Sequence, residues 1–294
     1  MSTIDQLNTQ FGLNQAWGDA LHFEPGEADL PVAVLHSPKA QAKVMLQGAQ
    51  IIHYQVGEHA PIIWLGEEAK AVPGKSLRGG VPVCWPWFGA GAEGQPAHGF
   101  ARNLDWQVAA SGADDDSVSL TLELLPNETS RKYWPHDFRL SLEVQLGESL
   151  KMTLRTEHQG SEPCTITQAL HTYLHIGDIA DVAILGLADT AFLDKTRGMM
   201  RDIQGEAALR LQGETDRVYL DTDAEVIVED ASLKRRIHVR KEGSRSTVVW
   251  NPWDEKAGAF PDMRADEYAQ MLCVETSNAA EDVVQLAPGE THCM

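Results

Sequence analysis

The feature that most constrains the fold of this chain is a repeated alternation of polar and apolar residues. It is clearest in Ser117–Leu124, Arg139–Leu146 and Leu150–Arg155, which are separated by segments containing Gly, Asp or Asn. Alternate side chains of a β-strand lie on opposite faces of its sheet, so a period of two indicates a strand with one buried face. These three segments therefore predict antiparallel strands.

Further strands are predicted along the chain, whereas helical periodicity is scarce. The additional strand candidates are Ile51–Val56, Thr165–His175, Glu225–Val228, Arg236–Val239, Thr247–Trp250, Met271–Glu275 and Val283–Leu286. The best helix candidate is short, from Ser2 to Gln10, with Ser2 as its N-cap. Many strands with turns between them favour an all-β fold, a large antiparallel β-sandwich. No linker or repeat interrupts residues 1–294, which predicts a single domain.

Charge and composition exclude several classes of partner. The 294 residues carry 24 Lys and Arg against 43 Asp and Glu, a net charge of −19. This charge repels nucleic-acid phosphates and anionic membrane surfaces, so neither is an expected partner. No segment approaches the ~18 apolar residues of a membrane span, and the N-terminus lacks the pattern of a signal peptide. Cys84, Cys164, Cys273 and Cys293 are far apart and show no metal-binding spacing, which predicts a reduced, cytoplasmic protein.

The segment from Leu77 to Trp106 fits neither helical nor strand periodicity. It interleaves Trp, Phe, Pro and Gly and contains two arginines, Arg78 and Arg102. Flat aromatic faces beside guanidinium groups suit a sugar phosphate, because a guanidinium matches phosphate oxygens two at a time. We therefore expect a binding-site wall here. The alternative is that the tryptophans are core and the arginines are solvated or paired with acidic residues.

Two strand candidates carry ionisable residues inside apolar runs. Glu275 ends the run beginning at Met271, and a buried glutamate is costly unless it is paired or used. His171 has the side chain whose ordinary pKa lies nearest neutrality, so Glu275 and His171 are candidates for general base and acid. The alternative for His171 is a hydrogen-bonded core residue. Asp216 precedes a strand candidate and could bind a sugar hydroxyl, although an aspartate at such a place commonly caps a turn.

No metal or cofactor is predicted. On a strand His171 and His175 would stand about 13 Å apart, too far to share one ion. The sequence contains none of the motifs HExxH, GxGxxG after a strand, GxxxxGK[ST] and GxSxG. It therefore offers no motif evidence for a zinc protease, nucleotide binding or acyl-serine chemistry.

Six sequence blocks in consistent order resemble one known family. The blocks are RGGVPVCWPWF at 78–88, PAHGFARN at 96–103, ALHTYLHIGDI at 169–179, TDRVYLD at 215–221, WNPW at 250–253 and CVET at 273–276. They are similar to the hexose-6-phosphate mutarotases, or glucose-6-phosphate 1-epimerases, of the aldose 1-epimerase superfamily. The similarity extends over roughly residues 30 to 290.

The resemblance implies a galactose-mutarotase-like sandwich, also called a supersandwich, without a cofactor. It assigns catalysis to His171 and Glu275, phosphate binding to Arg78 and Arg102, and a place in the sugar site to Asp216 and, by analogy with the wider superfamily, to His98. Some members have a glutamine contact directly before HGFAR. This chain has Ala97 there, and Gln95 is a possible replacement.

The expected activity is therefore interconversion of the α and β anomers of a hexose 6-phosphate. Ring opening needs a base at the C1 hydroxyl and an acid at the ring oxygen, which Glu275 and a protonated His171 would supply. Two alternatives stay open: a mutarotase of unphosphorylated aldoses, and a sugar-binding or regulatory module without catalysis. The oligomeric state is left open, with a monomer as the default.

Overall fold

The computed structural model describes residues 3–294 and consists mainly of β-strands. Three short helices are present in this range: α1 (Thr3–Phe11), α2 (Glu128–Tyr133) and α3 (Trp253–Ala259). None of the helices in the described range is long and apolar enough to cross a membrane. The predicted helix is confirmed as α1, while the proposed cap, Ser2, lies outside the described residues.

The strands fall into five sheets. In chain order they are β1 (Leu13–Gln15), β2 (Gly18–Pro25), β3 (Pro31–His36), β4 (Ala40–Met45), β5 (Gln50–Val56), β6 (Val83–Cys84), β7 (Gln107–Ala113), β8 (Val118–Leu124), β9 (Phe138–Leu146), β10 (Leu150–His158), β11 (Cys164–Ile166) and β12 (Gln168–Leu170). They continue as β13 (Tyr173–His175), β14 (Val182–Leu185), β15 (Ala191–Asp194), β16 (Met200–Ile203), β17 (Thr215–Tyr219), β18 (Val226–Asp230), β19 (Arg235–Val239), β20 (Ser246–Asn251), β21 (Met271–Asn278), β22 (Val284–Leu286) and β23 (Thr291–Cys293).

Two five-stranded antiparallel sheets enclose the first core. One has the order β1-β2-β3-β4-β5 and the other β23-β10-β9-β8-β7. In β8 and β9 every second residue is buried, so each of these strands turns one apolar face inward, as the sequence predicts. Leu21 and Leu35 of the first sheet and Leu120 and Leu140 of the second belong to one continuous apolar cluster. The packing of two sheets over a shared core is the arrangement of a β-sandwich.

The second half of the molecule is built on an eight-stranded sheet. Its order is β16-β15-β17-β20-β21-β12-β6, and β13 also pairs with β21. A three-stranded sheet, β14-β18-β19, shares an apolar core with one face, which includes Leu272 and Val274. Cys273 and Trp250 belong to a separate cluster on the opposite face. The central strands β20 and β21 are therefore buried on both sides, and polar residues on them must be paired or used.

One predicted strand is wrong. Thr165–His175 is not continuous but consists of β11, β12 and β13. β12 pairs with residues 276–278 of β21, whereas β13 pairs with residues 271–273. His171 and Thr172 lie in the break between β12 and β13. His171 is therefore not in a strand, contrary to the prediction.

Two tryptophans of the segment Leu77–Trp106 are core residues and form no binding-site wall. Trp85 is fully buried, and Trp106 is also in the first core. The Trp85 ring packs edge-on against Phe100 and Trp134 at centroid distances of 5.6 and 5.0 Å. The alternation of Pro and Trp hides this core role from a search for periodicity.

Candidate active site

The sheet register places several predicted site residues on one face of the eight-stranded sheet. Asp216 of β17 lies opposite Trp250 of β20, which in turn lies opposite Cys273 of β21. Residues paired across antiparallel strands point to the same side, and residues two apart on a strand do so as well. Glu275 therefore points to the same side as Cys273, away from the core that contains Leu272 and Val274.

The break between β12 and β13 brings His171 to this face. Its backbone N–H donates to the Pro82 carbonyl at 3.0 Å. The imidazole stacks on the Tyr173 ring at 4.9 Å with an interplanar angle of 13°, and Trp250 meets it edge-on at 5.9 Å. These contacts fix the plane of the ring.

His171 and Glu275 are brought together, as the sequence predicts. His171 Nε2 lies 3.5 Å from Glu275 Oε1, and His171 Nδ1 lies 3.7 Å from Cys273 Sγ. The Glu275 side chain is 1% exposed, and its Oε2 atom has no hydrogen-bond partner in the described chain. An unpaired acceptor at such depth costs free energy, which makes Glu275 a functional candidate.

Burial disfavours charge on both members of this pair. It raises the pKa of Glu275 well above its ordinary value, and the charge of Asp216 raises that pKa further. It lowers the pKa of His171 well below its ordinary value, helped by the nearby His98 and Arg102. Their contact is an ion pair only when His171 is protonated and Glu275 is ionised, and burial opposes both of these charged forms.

His98 reaches the group formed by His171, Glu275 and Asp216, called the cleft below, from a tight turn. It has φ +62°, and its N–H donates to the Gly89 carbonyl at 2.6 Å. Its ring lies 4.9 Å from Phe88 and 5.6 Å from His171, edge-on in both cases.

Three cations surround His98. Burial lowers the pKa of His98 to about 3, with further lowering by the charges of Arg102, Lys195 and Arg78. His98 is therefore neutral at physiological pH and can act as a hydrogen-bond partner but not as a cation. Arg78 and Lys195 are each paired with an aspartate, so the positive charge that remains for an anion is that of Arg102.

The two predicted phosphate-binding arginines differ in their present partners. Arg78 donates from Nε and Nη2 to Asp262 Oδ1 at 3.1 and 3.0 Å, and its guanidinium lies 4.2 Å from the centre of the Phe260 ring. Arg102 donates to the Ala97 carbonyl at 2.9 Å, its buried Nε has no hydrogen-bond partner, and it forms no ion pair with any residue of 3–294. Arg102 is therefore the cation with the most unused capacity for an anion.

Asp216 lies within β17, not before a strand as expected, and it caps no turn. Its Oδ2 atom is 2.9 Å from Lys195 Nζ, and its buried Oδ1 atom has no hydrogen-bond partner. An aspartate with one oxygen held by a cation and the other unused is suited to accept a hydrogen bond from a sugar hydroxyl.

Lys195 and Asp262 lie at the site but are not among the residues predicted from the sequence. Both come from connections between strands and match no motif, so no sequence signal singles them out. Tyr173 is also not among the predicted residues, although it stands inside the HTY block and the block itself could have drawn attention to it.

Gln95 does not offer a free amide to the cleft. Its Nε2 donates to the Tyr133 carbonyl at 2.9 Å, and its Oε1 accepts from the Ala92 N–H at 3.0 Å. The contact that Ala97 cannot make is therefore not replaced by Gln95 in this conformation.

A group of potential metal ligands overlaps the pair. One donor atom each from His171, Cys273 and Glu275 lies within 4.8 Å of the others. Cys273 approaches Nδ1 while Glu275 approaches Nε2, and one ion cannot bind both nitrogens of the same ring. That the site uses no metal remains a prediction.

A surface cavity of about 550 Å³ lies elsewhere, against the three-stranded sheet, and includes none of the predicted site residues. Its Arg235 donates to the carbonyls of Ala60 and Pro61 at 2.7 and 3.0 Å. Arg236 pairs with Glu229 at 2.6 Å. Since these two cations are already engaged, the cavity is a weaker candidate site than the cleft.

The fold is that of the galactose-mutarotase-like β-sandwiches. The solved structure of a galactose mutarotase-like protein from Clostridium acetobutylicum covers 93% of this chain and 96% of its own, with a TM-score of 0.73 at 15% identity. The structure described as "a putative mutarotase" from Salmonella typhimurium covers 99% of this chain and 97% of its own, with a TM-score of 0.85 at 34% identity.

The chain belongs to the aldose 1-epimerase family, whose sequence model matches residues 31–293. It is 39% identical over 249 residues to a Salmonella typhimurium protein named "Putative glucose-6-phosphate 1-epimerase", covering 84% of this chain and 83% of that protein. A protein of the same name from Cenchrus ciliaris is 35% identical over 263 residues, covering 85% and 78%. The family consists of isomerases, so the enzyme class expected from the sequence is confirmed.

Proposed function

We propose that this protein interconverts the α and β anomers of a hexose 6-phosphate, with glucose 6-phosphate as the reference substrate. The observation that carries the proposal is the 3.5 Å contact between His171 Nε2 and Glu275 Oε1 in a buried cleft. Arg102, whose charge acts on His171 and which has no acidic partner in residues 3–294, supplies the anion site. The names of the relatives support a phosphorylated substrate.

The reaction needs two proton transfers and no redox step. Glu275 removes the proton of the C1 hydroxyl while His171 donates a proton to the ring oxygen, and the C1–O5 bond breaks to leave an open-chain aldehyde. Rotation about C1–C2 presents the other carbonyl face. The two groups then reverse their roles and close the ring. General acid and base catalysis of this kind supplies about 10²- to 10⁴-fold.

The distribution of charge supports an orientation of the sugar in which the ring oxygen faces His171 and the C1 hydroxyl faces Glu275. Arg102 and Arg78 act on His171, whereas Asp216 and Lys195 act on Glu275. In a pyranose the ring oxygen is bonded to C5, which carries the C6 phosphate. An acid beside the phosphate-binding arginines and a base on the side of C1 therefore fit one bound pose.

Substrate binding would also adjust the protons of the pair. The positive charge of Arg102 adds to burial in lowering the pKa of His171. A phosphate dianion beside Arg102 offsets that field on the side of His171, which favours a proton on His171 over one on Glu275. The phosphate would then help to create the acid form as well as hold the sugar.

The test is anomer exchange of glucose 6-phosphate at equilibrium, followed by magnetisation-transfer NMR and repeated with free glucose. Glu275→Gln should remove the catalysed exchange of both sugars. Arg102→Met should lower kcat/KM for glucose 6-phosphate by about 10- to 100-fold, because a charged hydrogen-bonding partner is lost. It should leave exchange of free glucose nearly unchanged. Arg78→Met should cost less than Arg102→Met, since Asp262 already neutralises Arg78.

The matched control is Arg139→Met, which removes a surface arginine that pairs with Glu123 and should leave both activities unchanged. If Arg102→Met affects both sugars equally, the substrate is an unphosphorylated aldose. If wild type leaves exchange of both sugars at the buffer rate, the chain is not a mutarotase of these sugars, and the binding-module alternative stands.

A further inference from the structure

Lys195 is held at the cleft by a short, tightly bonded turn. It begins the 3-10 turn Lys195–Arg197 between β15 and β16. The buried side chain of Asp194 fixes this turn, because its Oδ1 accepts from the Thr196 N–H at 3.0 Å and its Oδ2 accepts from Arg197 Nε at 2.9 Å. The turn therefore has a defined conformation.

The Lys195 ammonium reaches the middle of the candidate site. Nζ lies 2.9 Å from Asp216 Oδ2 and 5.7 Å from the centre of the Phe88 ring. The Asp216 side chain is only 13% exposed and that of Lys195 is 33% exposed. An ion pair at this depth is screened less by solvent than one on the surface.

Two carboxylates and one ammonium thus share one face of the sheet. Asp216 and Glu275 lie on the same face of the β17–β20–β21 part of the sheet, and like charges close together disfavour each other's ionisation. The charge of Asp216 raises the pKa of Glu275, and the charge of Lys195 lowers it. The base must nevertheless be ionised to accept the C1 hydroxyl proton.

We propose that Lys195 is a positioning residue of the epimerase reaction: it neutralises Asp216 so that Glu275 can ionise beside it, and it holds Asp216 with Oδ1 left available for a sugar hydroxyl. This inference rests on the proposed function. Lys195 acts through the two carboxylates and takes no proton in the reaction.

Several other titratable groups face Glu275. The elements packed around Glu275 contribute these groups: His171 of the β12–β13 break, Tyr173 of β13, Cys84 of β6, Cys273 of β21, Asp216 of β17 and Lys195. Burial raises the pKa of Cys84 to about 12 and raises those of Tyr173 and Cys273, so these three stay neutral across the assay range. His171, Asp216 and Lys195 are left to set the field at Glu275.

The experiment is the pH dependence of kcat/KM for glucose 6-phosphate in Lys195→Met, Lys195→Arg, Asp216→Asn and the double variant Lys195→Met/Asp216→Asn. Lys195→Met should move the acid limb, which reports ionisation of Glu275, to higher pH by about one pH unit. Lys195→Arg should restore the limb to its wild-type position. The double variant should also return it towards wild type, because the charge that Lys195 neutralises is gone.

Two features allow the pH profiles of the variants to be compared directly. The substrate phosphate has its second pKa at about 6, but this ionisation is common to all variants and cancels between them. Lys43→Met is the matched control, since Lys43 pairs with Glu24 at 2.8 Å on the first sheet and should leave the profile unchanged.

A Lys195→Met variant that loses activity with an unmoved acid limb would overturn the proposal and leave Lys195 with a structural role only. A double variant whose limb stays as far displaced as that of Lys195→Met would do the same. Absence of catalysed exchange in wild type would instead remove the proposed function, and this inference with it.

Discussion

At the scale of single residues, the cleft is defined by polar atoms that the fold buries without satisfying. Glu275 Oε2, Asp216 Oδ1 and Arg102 Nε are each buried without a hydrogen-bond partner in the described chain. Most buried polar groups in folded proteins are hydrogen-bonded. Three of the nine such atoms in the described chain thus belong to residues expected to bind one sugar phosphate, and a bound sugar phosphate could supply their missing partners.

Glu275 should make the protein less stable as the pH rises. Its pKa is raised above the ordinary 4.5 in the folded state. Such a carboxyl favours folding below that value, and the contribution is lost as the pH rises through the folded-state pKa. Glu275→Gln removes this titration. Its free energy of unfolding, relative to wild type, should therefore increase as the pH rises above about 5.

Urea unfolding at a series of pH values measures this difference. Glu143→Gln, at an exposed position of β9, is the control and should track wild type. A Glu275→Gln variant that becomes relatively less stable at high pH would mean that the carboxylate is favourably paired in the folded protein.

At the scale of elements, the turn that carries His98 depends on one close backbone approach. Gly99 has φ +72°, and a Cβ atom there would lie 1.9 Å from the Trp85 carbonyl oxygen. The Phe100 N–H donates to that same oxygen at 3.0 Å, so the turn cannot move away without losing this bond. The position of His98 and Arg102 thus depends on a residue that has no side chain.

Gly99→Ala should lower the free energy of unfolding by about 3 kcal/mol or more, because backbone atoms would have to separate. Gly94→Ala is the matched control. Gly94 also has positive φ, +79°, but nothing lies within 4 Å of an added Cβ, so its cost should be only about 1 kcal/mol. Urea unfolding of both variants gives the comparison, and similar losses would contradict it.

The number of buried faces decides whether a strand shows alternation in its sequence. β8 and β9 have one solvated face, so their alternation is visible in the sequence. β3 and β14 contain nearly continuous runs of buried residues, which removes the period of two, and neither is predicted. β20 and β21 are predicted although they too are buried on both faces. Strands as short as those at the edge of the eight-stranded sheet leave too few residues for a pattern.

The break at His171 could not be predicted for a different reason. It exists because β12 and β13 pair with separate stretches of β21 and skip Val274 and Glu275. The sequence blocks could identify His171 and Glu275 as a pair, since residue type and context carry that information. They could not identify Lys195 or Asp262, whose roles depend on tertiary position alone.

At the scale of the whole molecule, the thiols should report on global unfolding. The chain has four free cysteines, of which Cys84, Cys164 and Cys273 are buried and Cys293 is exposed. Only thiolates react rapidly, and burial raises the pKa of the three buried thiols. A chromogenic disulfide reagent should therefore label one thiol rapidly in the native protein and four in denaturant.

The labelling rate of the remaining three should follow the unfolding equilibrium as denaturant is added. Cys293→Ser is the control and should remove the rapid phase alone. Rapid labelling of a second thiol under native conditions would show that part of the core opens without global unfolding.

Within residues 3–294 Arg102 has no acidic partner, and this has a consequence for competition in the cell. A guanidinium without a counterion binds a sugar phosphate and inorganic phosphate through the same contacts. Only the residues that contact the sugar can distinguish the two. If Arg102 binds the 6-phosphate as proposed, inorganic phosphate and sulfate compete for the same donors. The apparent KM would then follow the phosphate level of the surroundings, and the enzyme would work faster when free phosphate is scarce.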